Sequence, residues 1–302
     1  MAGFMRSLRV AIPVVLASSV ATARADGPPP EAEWPERWEG GTSPEAQVRA
    51  ATDPTDFLKF FTFEHKRYLY SKDGPGSLAW VPTGAALAEG AALPTIVFLH
   101  GLNEKGHTYP RLDGGPEDLR PALRQLVISK KIGHFLLLAP THTRYALGAA
   151  SMWPAFDLGA FLDRAEASLS GRFRVARDRV FLVGHSAGGC NPEGGILSAG
   201  GTEPAALLAV DSCLGEKTDN ALEALALRRP VTFVHERHWK RDTAAFRSFC
   251  ELLPTCRYVA TEEIPELDLG RDPHAAVLPW ALDRELPRWI PASSGSAASA
   301  GR

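Results

Sequence analysis

The feature that most constrains the fold of this chain is an alternation of short apolar runs with longer segments of helical periodicity. The apolar runs place Val, Ile, Leu and Phe at consecutive positions, which is typical of strands buried on both faces. Such strands, separated by amphipathic helices, predict a mostly parallel central sheet that is flanked by helices on both faces. We therefore expect a fold of the α/β class.

The predicted elements cover the middle of the 302-residue chain. Eight segments have the composition of strands: residues 65–72, 77–82, 95–101, 134–140, 179–184, 206–211, 230–236 and 256–264. Four segments between them place apolar residues at helical spacing: residues 116–131, 160–173, 214–228 and 243–253. Because only one helix joins the sixth strand to the seventh, no separate lid domain is expected.

Both ends of the chain differ in composition from this middle part. Residues 1–25 combine basic residues, an apolar run and small residues in A-x-A spacing, which predicts a signal peptide and a secreted or periplasmic protein. Cleavage after Ala23 or after Ala25 fits this pattern, and we prefer Ala25. Residues 26–49 are rich in Pro, Gly and Glu, and residues 292–302 in small residues, so both are expected to be disordered. A single α/β domain is expected over residues 50–291.

Charge and hydropathy argue against two kinds of partner. The formal net charge is −2 and the charges are scattered, so nothing in the sequence favours nucleic acid or an anionic membrane. The apolar run near the start is too short to span a bilayer and contains Pro13, so no membrane anchor is expected.

A Gly-rich motif stands where the strand of residues 179–184 ends. Residues 184–188 read Gly-His-Ser-Ala-Gly, a G-x-S-x-G pattern that places Ser186 in a tight turn between a buried strand and a helix. Parallel sheets bind ligands at the carboxyl ends of their strands, so this serine is placed to act as a nucleophile. The alternative is a Gly-rich turn with an incidental serine.

A serine nucleophile needs a base, and His274 is the candidate. It is the only histidine after His238, and it lies between the last predicted strand and a final helical segment. Its position suits the chain order nucleophile, acid, histidine. The alternative is a histidine at the start of a helix with no catalytic task.

Together these motifs resemble the α/β-hydrolase fold family, over a region from residues 96–101 to His274. The resemblance implies a serine hydrolase of the secreted esterase or lipase type. It also implies an oxyanion hole made of two backbone N–H groups, those of Ala187 after the nucleophile and of Leu102 after His100-Gly101.

The acid of the expected triad is left open between three residues. Asp211 follows the sixth predicted strand directly, a position used by some members of the family. Glu236 lies at the end of the seventh strand, which is the usual position but lacks the usual G-x-x-D pattern. Asp242 has the position of a helix N-cap. We prefer Asp211, with Glu236 as the alternative.

The segment after the G-x-S-x-G motif, which in the family forms a sharp turn called the nucleophile elbow, departs from the family pattern. Pro192 and paired glycines interrupt what is normally a long helix. We expect one short turn, a break, and a second helical piece from Pro192.

Four cysteines in an exported chain can form disulfides. In the topology of the family the fifth and sixth strands are neighbours, which brings Cys190 and Cys213 to the same end of adjacent strands. Cys250 ends a helix and Cys256 begins the last strand after a short return. The resemblance therefore implies the pairs Cys190–Cys213 and Cys250–Cys256, with buried free thiols as the alternative.

Three weaker signals point elsewhere. Residues 101–108 nearly match a phosphate-binding loop, but His107 stands where lysine is required. Residues 235–238 read HERH, one residue short of a zinc-binding H-E-x-x-H, so no metal site is expected. Four loop residues either line an acyl or aromatic pocket or pack on the domain itself: Tyr145, Met152, Trp153 and Trp239.

The sequence thus predicts an exported serine hydrolase that cleaves a carboxylic ester through an acyl-enzyme on Ser186. The substrate is a small-molecule or polymeric ester, no cofactor is needed, and the oligomeric state is left open. Two alternatives remain, an amide or peptide hydrolase with the same triad and a catalytically inactive binding protein on the same scaffold.

Overall fold

The structure is a computed structural model that describes residues 44–63, 76–103, 109–141, 153, 155–236, 243–264 and 267–292. The helices in this part of the chain are α1 (Pro44–Ala50), α2 (Arg120–Ile128), α3 (Leu158–Leu169), α4 (Glu216–Ala226), α5 (Ala244–Leu252) and α6 (Pro273–Trp289). The strands are β1 (Phe57–Phe61), β2 (Ser77–Val81), β3 (Ala91–Leu99), β4 (Leu136–Pro140), β5 (Phe156–Asp157), β6 (Phe173–His185), β7 (Ala199–Gly200), β8 (Ala206–Val210), β9 (Val231–His235) and β10 (Cys256–Ala260).

Eight of these strands form one sheet in the order β1-β2-β4-β3-β6-β8-β9-β10. Strand β2 runs antiparallel to both of its neighbours, and the other pairs are parallel. The short strands β5 and β7 pair separately. The predicted fold class, α/β with a mostly parallel central sheet, is confirmed.

Both faces of the sheet are covered by helices, as the continuous apolar strands require. On one face, the apolar sides of α3, α4 and α5 pack against the sheet through residues such as Phe161, Leu222 and Phe246. On the other face, α1, α2 and α6 do so, with Leu123 and Leu282 buried against the strands. The carboxyl ends of the parallel strands, rather than the covered faces, are where such sheets bind ligands.

Ordered structure begins earlier than the sequence predicted. Helix α1 begins inside the segment 26–49, which was expected to be disordered, and Val48 is fully buried in the second face. The buried guanidinium of Arg120 donates to the Val48 carbonyl oxygen at 3.2 Å and is paired with Asp118 at 2.7 Å. A tertiary contact therefore holds this short helix, and its own sequence gave no sign of it.

The other expected elements agree with the structure where it describes them. Strands at 77–82, 95–101, 134–140, 179–184, 206–211, 230–236 and 256–264 and helices at 116–131, 160–173, 214–228 and 243–253 are each present, with small shifts at their ends. The expected strand at residues 65–72 lies outside the described residues, and β1 was not predicted. A single helix, α4, joins β8 to β9. No helix of the described ranges combines the length and hydropathy of a membrane span.

Candidate active site

Ser186 lies directly after β6 and begins a 3-10 turn of four residues, Ser186–Gly189. Its φ of 52° is in the left-handed region, which costs a residue with a Cβ about 1 kcal/mol or more. The side chain is 4% exposed. A strained serine at the end of a buried strand is the geometry of a nucleophile elbow.

The glycines of the motif are required by close backbone contacts. A methyl group on Gly188 would overlap the carbonyl oxygen of Leu99 in the neighbouring strand. A methyl group on Gly184 would lie 2.9 Å from the Cδ1 atom of Ile196 and 3.0 Å from the backbone of Gly188. The two glycines therefore let the turn close tightly against β3 and the segment that follows.

The break after the elbow is present, but the second helical piece begins later than predicted. After the turn Ser186–Gly189, the chain forms another 3-10 turn at Gly195–Ser198 rather than a helix from Pro192. Ile196 of this second turn is buried against the elbow. Packing of that side chain thus supports the elbow where a long helix would otherwise do so.

His274 and Asp211 are in direct contact at the same end of the sheet. His274 lies in the first turn of α6, where Asp272 caps the helix by accepting from the N–H of Ala275 at 3.0 Å. Its Nδ1 contacts the Oδ2 atom of Asp211. Because a carboxylate only accepts, Nδ1 carries a proton, and Nε2 is then the ring nitrogen that can offer a lone pair to Ser186.

Asp211 is held firmly in this position. It follows β8, is fully buried, and its backbone N–H donates to the carbonyl oxygen of Val234 in β9 at 2.7 Å. Its φ of 46° is a conformation that Asp tolerates better than most residues. Since His185 pairs with Val210 across β6 and β8, Ser186 and Asp211 leave neighbouring strands at the same level.

Glu236, the alternative acid, lies beside Asp211. The backbone N–H of Glu236 points to the Oδ1 atom of Asp211 at 3.4 Å, so Glu236 supports that carboxylate through its main chain. Asp242 lies outside the described residues. Among the three candidates, Asp211 is the one whose contact with His274 the structure describes.

The loop after β3 passes directly over Ser186. A methyl group on Gly101 would lie 3.0 Å from the Cβ atom and 3.4 Å from the Oγ atom of Ser186, so only glycine fits there without displacement. Leu102 follows and is 41% exposed. The part that the resemblance assigns to Leu102, donation of its backbone N–H, does not depend on its side chain.

His100 controls the orientation of that peptide group. Its Nδ1 lies 2.7 Å from the carbonyl oxygen of Gly101, and since the carbonyl accepts, Nδ1 donates. The N–H of Leu102 belongs to the same peptide and points the opposite way. Burial lowers the pKa of His100 to about 4, which keeps the ring neutral near pH 7.

No structural role was predicted for His100 or His185 from the sequence. His100 directly precedes Gly101, and His185 is the second residue of the G-x-S-x-G motif. His185 is buried, and its Nε2 lies 2.8 Å from the carbonyl oxygen of His274. The sequence did contain a signal for both residues, because a histidine stands at the carboxyl end of β6 and another directly after β3, and these strand ends meet at the site. The positive charge of Arg111 contributes to lowering the pKa of both His100 and His185, after burial as the main cause.

For Trp153, the open choice between pocket lining and packing is decided. The side chain is fully buried, and its Nε1–H donates to the carbonyl oxygen of His100 at 2.8 Å. It is thus part of the support beneath the loop after β3. Tyr145, Met152 and Trp239 lie outside the described residues, as do His107 and His238.

Both expected disulfides are present. The Cα atoms are 4.7 Å apart in Cys190–Cys213 and 4.6 Å apart in Cys250–Cys256. The first joins the segment after Ser186 to the segment after Asp211. Disulfides of this kind persist in oxidising compartments. The described residues contain no group of three or more His, Cys, Asp or Glu side chains placed to hold a metal ion.

Replacing both cysteines of a disulfide with alanine should lower stability for either pair but lower activity for only one of them. Chain entropy predicts a loss of about 3 kcal/mol for Cys190–Cys213, which spans 23 residues, and about 2 kcal/mol for Cys250–Cys256, which spans 6. Only the first pair braces the site, so its loss should also lower kcat roughly tenfold, while the second should leave kcat within about twofold. Urea unfolding and ester kinetics measure both, and equal kcat losses would contradict the bracing role.

Comparison with known proteins gives the following. No protein-family model matches the chain, and no curated protein sequence matches it. Among solved structures, it is similar to a ferulic acid esterase (TM-score 0.49, 14% identity, covering 78% of this chain and 97% of that one). It is similar to a mutant of the feruloyl esterase module from Clostridium thermocellum complexed with sinapinate (TM-score 0.48, 11% identity, covering 80% of this chain and 90% of that one). It is also similar to an esterase from the Planctomycetes species Thermogutta terrifontis (TM-score 0.44, 13% identity, covering 80% of this chain and 95% of that one). With TM-scores below 0.5, these likenesses carry no functional argument.

Proposed function

We propose that this chain is an exported serine hydrolase that cleaves a carboxylic ester through an acyl-enzyme on Ser186. The observation that carries the proposal is the meeting of three features at one edge of the sheet. Ser186 has a strained φ at the end of β6, the His274–Asp211 pair lies at the adjacent strand end, and the loop at Gly101 is so close that a Cβ atom there would lie 3.4 Å from Ser186 Oγ.

The proposed mechanism assigns each residue one task. His274 Nε2 takes the proton from Ser186 Oγ as this oxygen bonds to the ester carbonyl carbon. Asp211 holds the Nδ1–H of His274 and stabilises the imidazolium that forms. The carbonyl π electrons move onto oxygen, and the N–H groups of Leu102 and Ala187 donate to the resulting oxyanion, each worth on the order of 3 kcal/mol.

Collapse of the tetrahedral intermediate expels the alcohol, which leaves with the proton returned by His274. A water molecule then attacks the acyl-Ser186 carbonyl with His274 again as base, which releases the acid and restores the serine. No step of this route needs a cofactor. Export is supported by the composition of residues 1–25 and by the two disulfides.

Two alternatives deserve a direct test: an amide or peptide hydrolase, and an inactive scaffold. The mature, oxidised protein should be labelled by a fluorophosphonate probe, with the adduct found on the peptide that contains Ser186. It should hydrolyse p-nitrophenyl acetate much faster than p-nitroacetanilide, which shares the acyl group. Faster cleavage of the anilide would favour the amide hydrolase, and folded protein without a Ser186 adduct would favour the scaffold.

A further inference from the structure

A buried histidine lies at the junction of the three parts of the site. His185 is the last residue of β6 and is 1% exposed. Its Nε2 is 2.8 Å from the carbonyl oxygen of His274, and since a carbonyl oxygen only accepts, Nε2 carries the proton and donates. Burial, helped by the charge of Arg111, holds the pKa of His185 well below its ordinary value, so the ring is neutral.

The ring of His185 also touches its other neighbours. Its centroid is 4.5 Å from that of the His274 ring, at an interplanar angle of 40°. A methyl group on Gly101 would lie 3.3 Å from its Nδ1 atom. One imidazole therefore contacts the candidate base and lies next to the loop that bears the Leu102 amide, and it directly precedes Ser186 in the chain.

Burying a histidine at this position costs free energy that an apolar side chain would not, so packing alone does not account for the choice of residue. The Nδ1 atom is buried and has no hydrogen-bond partner among the described residues. Burying an unsatisfied acceptor costs about 1–3 kcal/mol, and an apolar side chain of the same size would avoid it. The hydrogen bond from Nε2–H is the property of this ring that an apolar side chain could not supply.

The bond from His185 is one of the contacts that tie the start of α6 to the sheet, beside that of His274 with Asp211. The side chains of residues 273–276 are only partly buried, and the first fully buried residue of the helix is Val277. The Asp272 cap stabilises this turn within itself. The bond from His185 instead joins the main chain of the turn to β6, and so to Ser186.

We infer that His185 is a positioning residue that, by donating its Nε2–H to the His274 carbonyl oxygen, holds the His274 imidazole in register with Ser186. The inference rests on the proposed function and deepens it. His274 is then fixed at two points, its Nδ1 by Asp211 and its main chain by His185. Loss of the second point leaves substrate contacts intact but lets the base drift from the nucleophile.

Two variants of similar length test the donor. His185→Gln places an amide N–H where Nε2 stands, and His185→Met removes the donor. With p-nitrophenyl acetate, His185→Met should lower kcat about 10- to 100-fold with KM within about twofold, because misplacement by an ångström costs rate and not binding. His185→Gln should recover kcat to within about threefold of the wild type.

The matched control is His134→Met. His134 precedes β4 at the opposite end of the sheet, where its Nε2 lies 2.9 Å from the Oγ1 atom of Thr83. This variant should keep kcat unchanged, and thermal unfolding should show all three variants folded. Equal losses in the Gln and Met variants of His185, or full kcat in the Met variant, would overturn the inference.

A measurement on the wild-type protein does not depend on how the variants fold. Nitrogen-15 correlation spectra of the histidine rings should show His185 neutral with its proton on Nε2 from pH 6 to 8. A proton on Nδ1 would overturn the inference, whatever the kinetics. A wild-type protein without ester hydrolysis or fluorophosphonate labelling would instead overturn the proposed function and, with it, the role given to His185.

Discussion

Replacing Ser186 with alanine is expected to lower kcat for p-nitrophenyl acetate by about 10³-fold or more, because no other group in the proposed mechanism can form the acyl-enzyme. Labelling by the fluorophosphonate probe should be lost in parallel. The free energy of unfolding should change little, since alanine bears the same strain as serine at a φ of 52°.

A second substitution separates the loss of the nucleophile from any change in the turn. Ser186→Gly should be as inactive as Ser186→Ala but more resistant to thermal denaturation, because glycine adopts this φ without strain. Ser168→Ala, on the surface of α3, serves as the control and should leave activity unchanged. Ester hydrolysis within tenfold of the wild type in either Ser186 variant would mean that the proposed nucleophile is wrong.

The parts of the fold that were predictable are those with strong local signals. The last part of β6, residues 180–183, is a continuous apolar run followed by the Gly-rich motif, so the strand, the turn and the position of the serine could be predicted together. The short helix α1 could not, because its anchor is the guanidinium of Arg120, 72 residues away in the chain. Strand β1 is a five-residue antiparallel neighbour of β2 at the edge of the sheet, and its residues FLKFF alternate too weakly to distinguish it from other apolar runs.

The candidate site shows the same division between local and distant information. Ser186 and His274 stand in recognisable positions, whereas the acid depends on which strand end faces the first turn of α6. The contact that favours Asp211, between its carboxylate and His274, joins residues 63 positions apart, and no local pattern contains it. The bond from His185 to the His274 carbonyl spans 89 residues and was missed for the same reason.

The second large effect is expected at the acid. Asp211→Asn should lower kcat by about 10³- to 10⁴-fold, because the amide group of asparagine can donate to Nδ1 of His274 and so favours the ring with its proton on Nε2. In that tautomer Nε2 has no lone pair to accept the proton of Ser186. Glu236→Gln should reduce kcat by no more than about tenfold, since the Glu236 contact with Asp211 is made by its backbone N–H, which the substitution keeps.

The comparison of these two isosteric changes tests the assignment of the acid. Each replaces one carboxylate oxygen by an amide nitrogen at a buried position, so differences in volume do not enter. Circular dichroism and thermal unfolding of both variants establish that a loss of kcat is not a loss of fold, which matters because Asp211 also accepts from the backbone at β9. If Glu236→Gln lost more activity than Asp211→Asn in folded protein, the acid would lie at the end of β9, and the contact between Asp211 and His274 would serve only to hold α6 against the sheet.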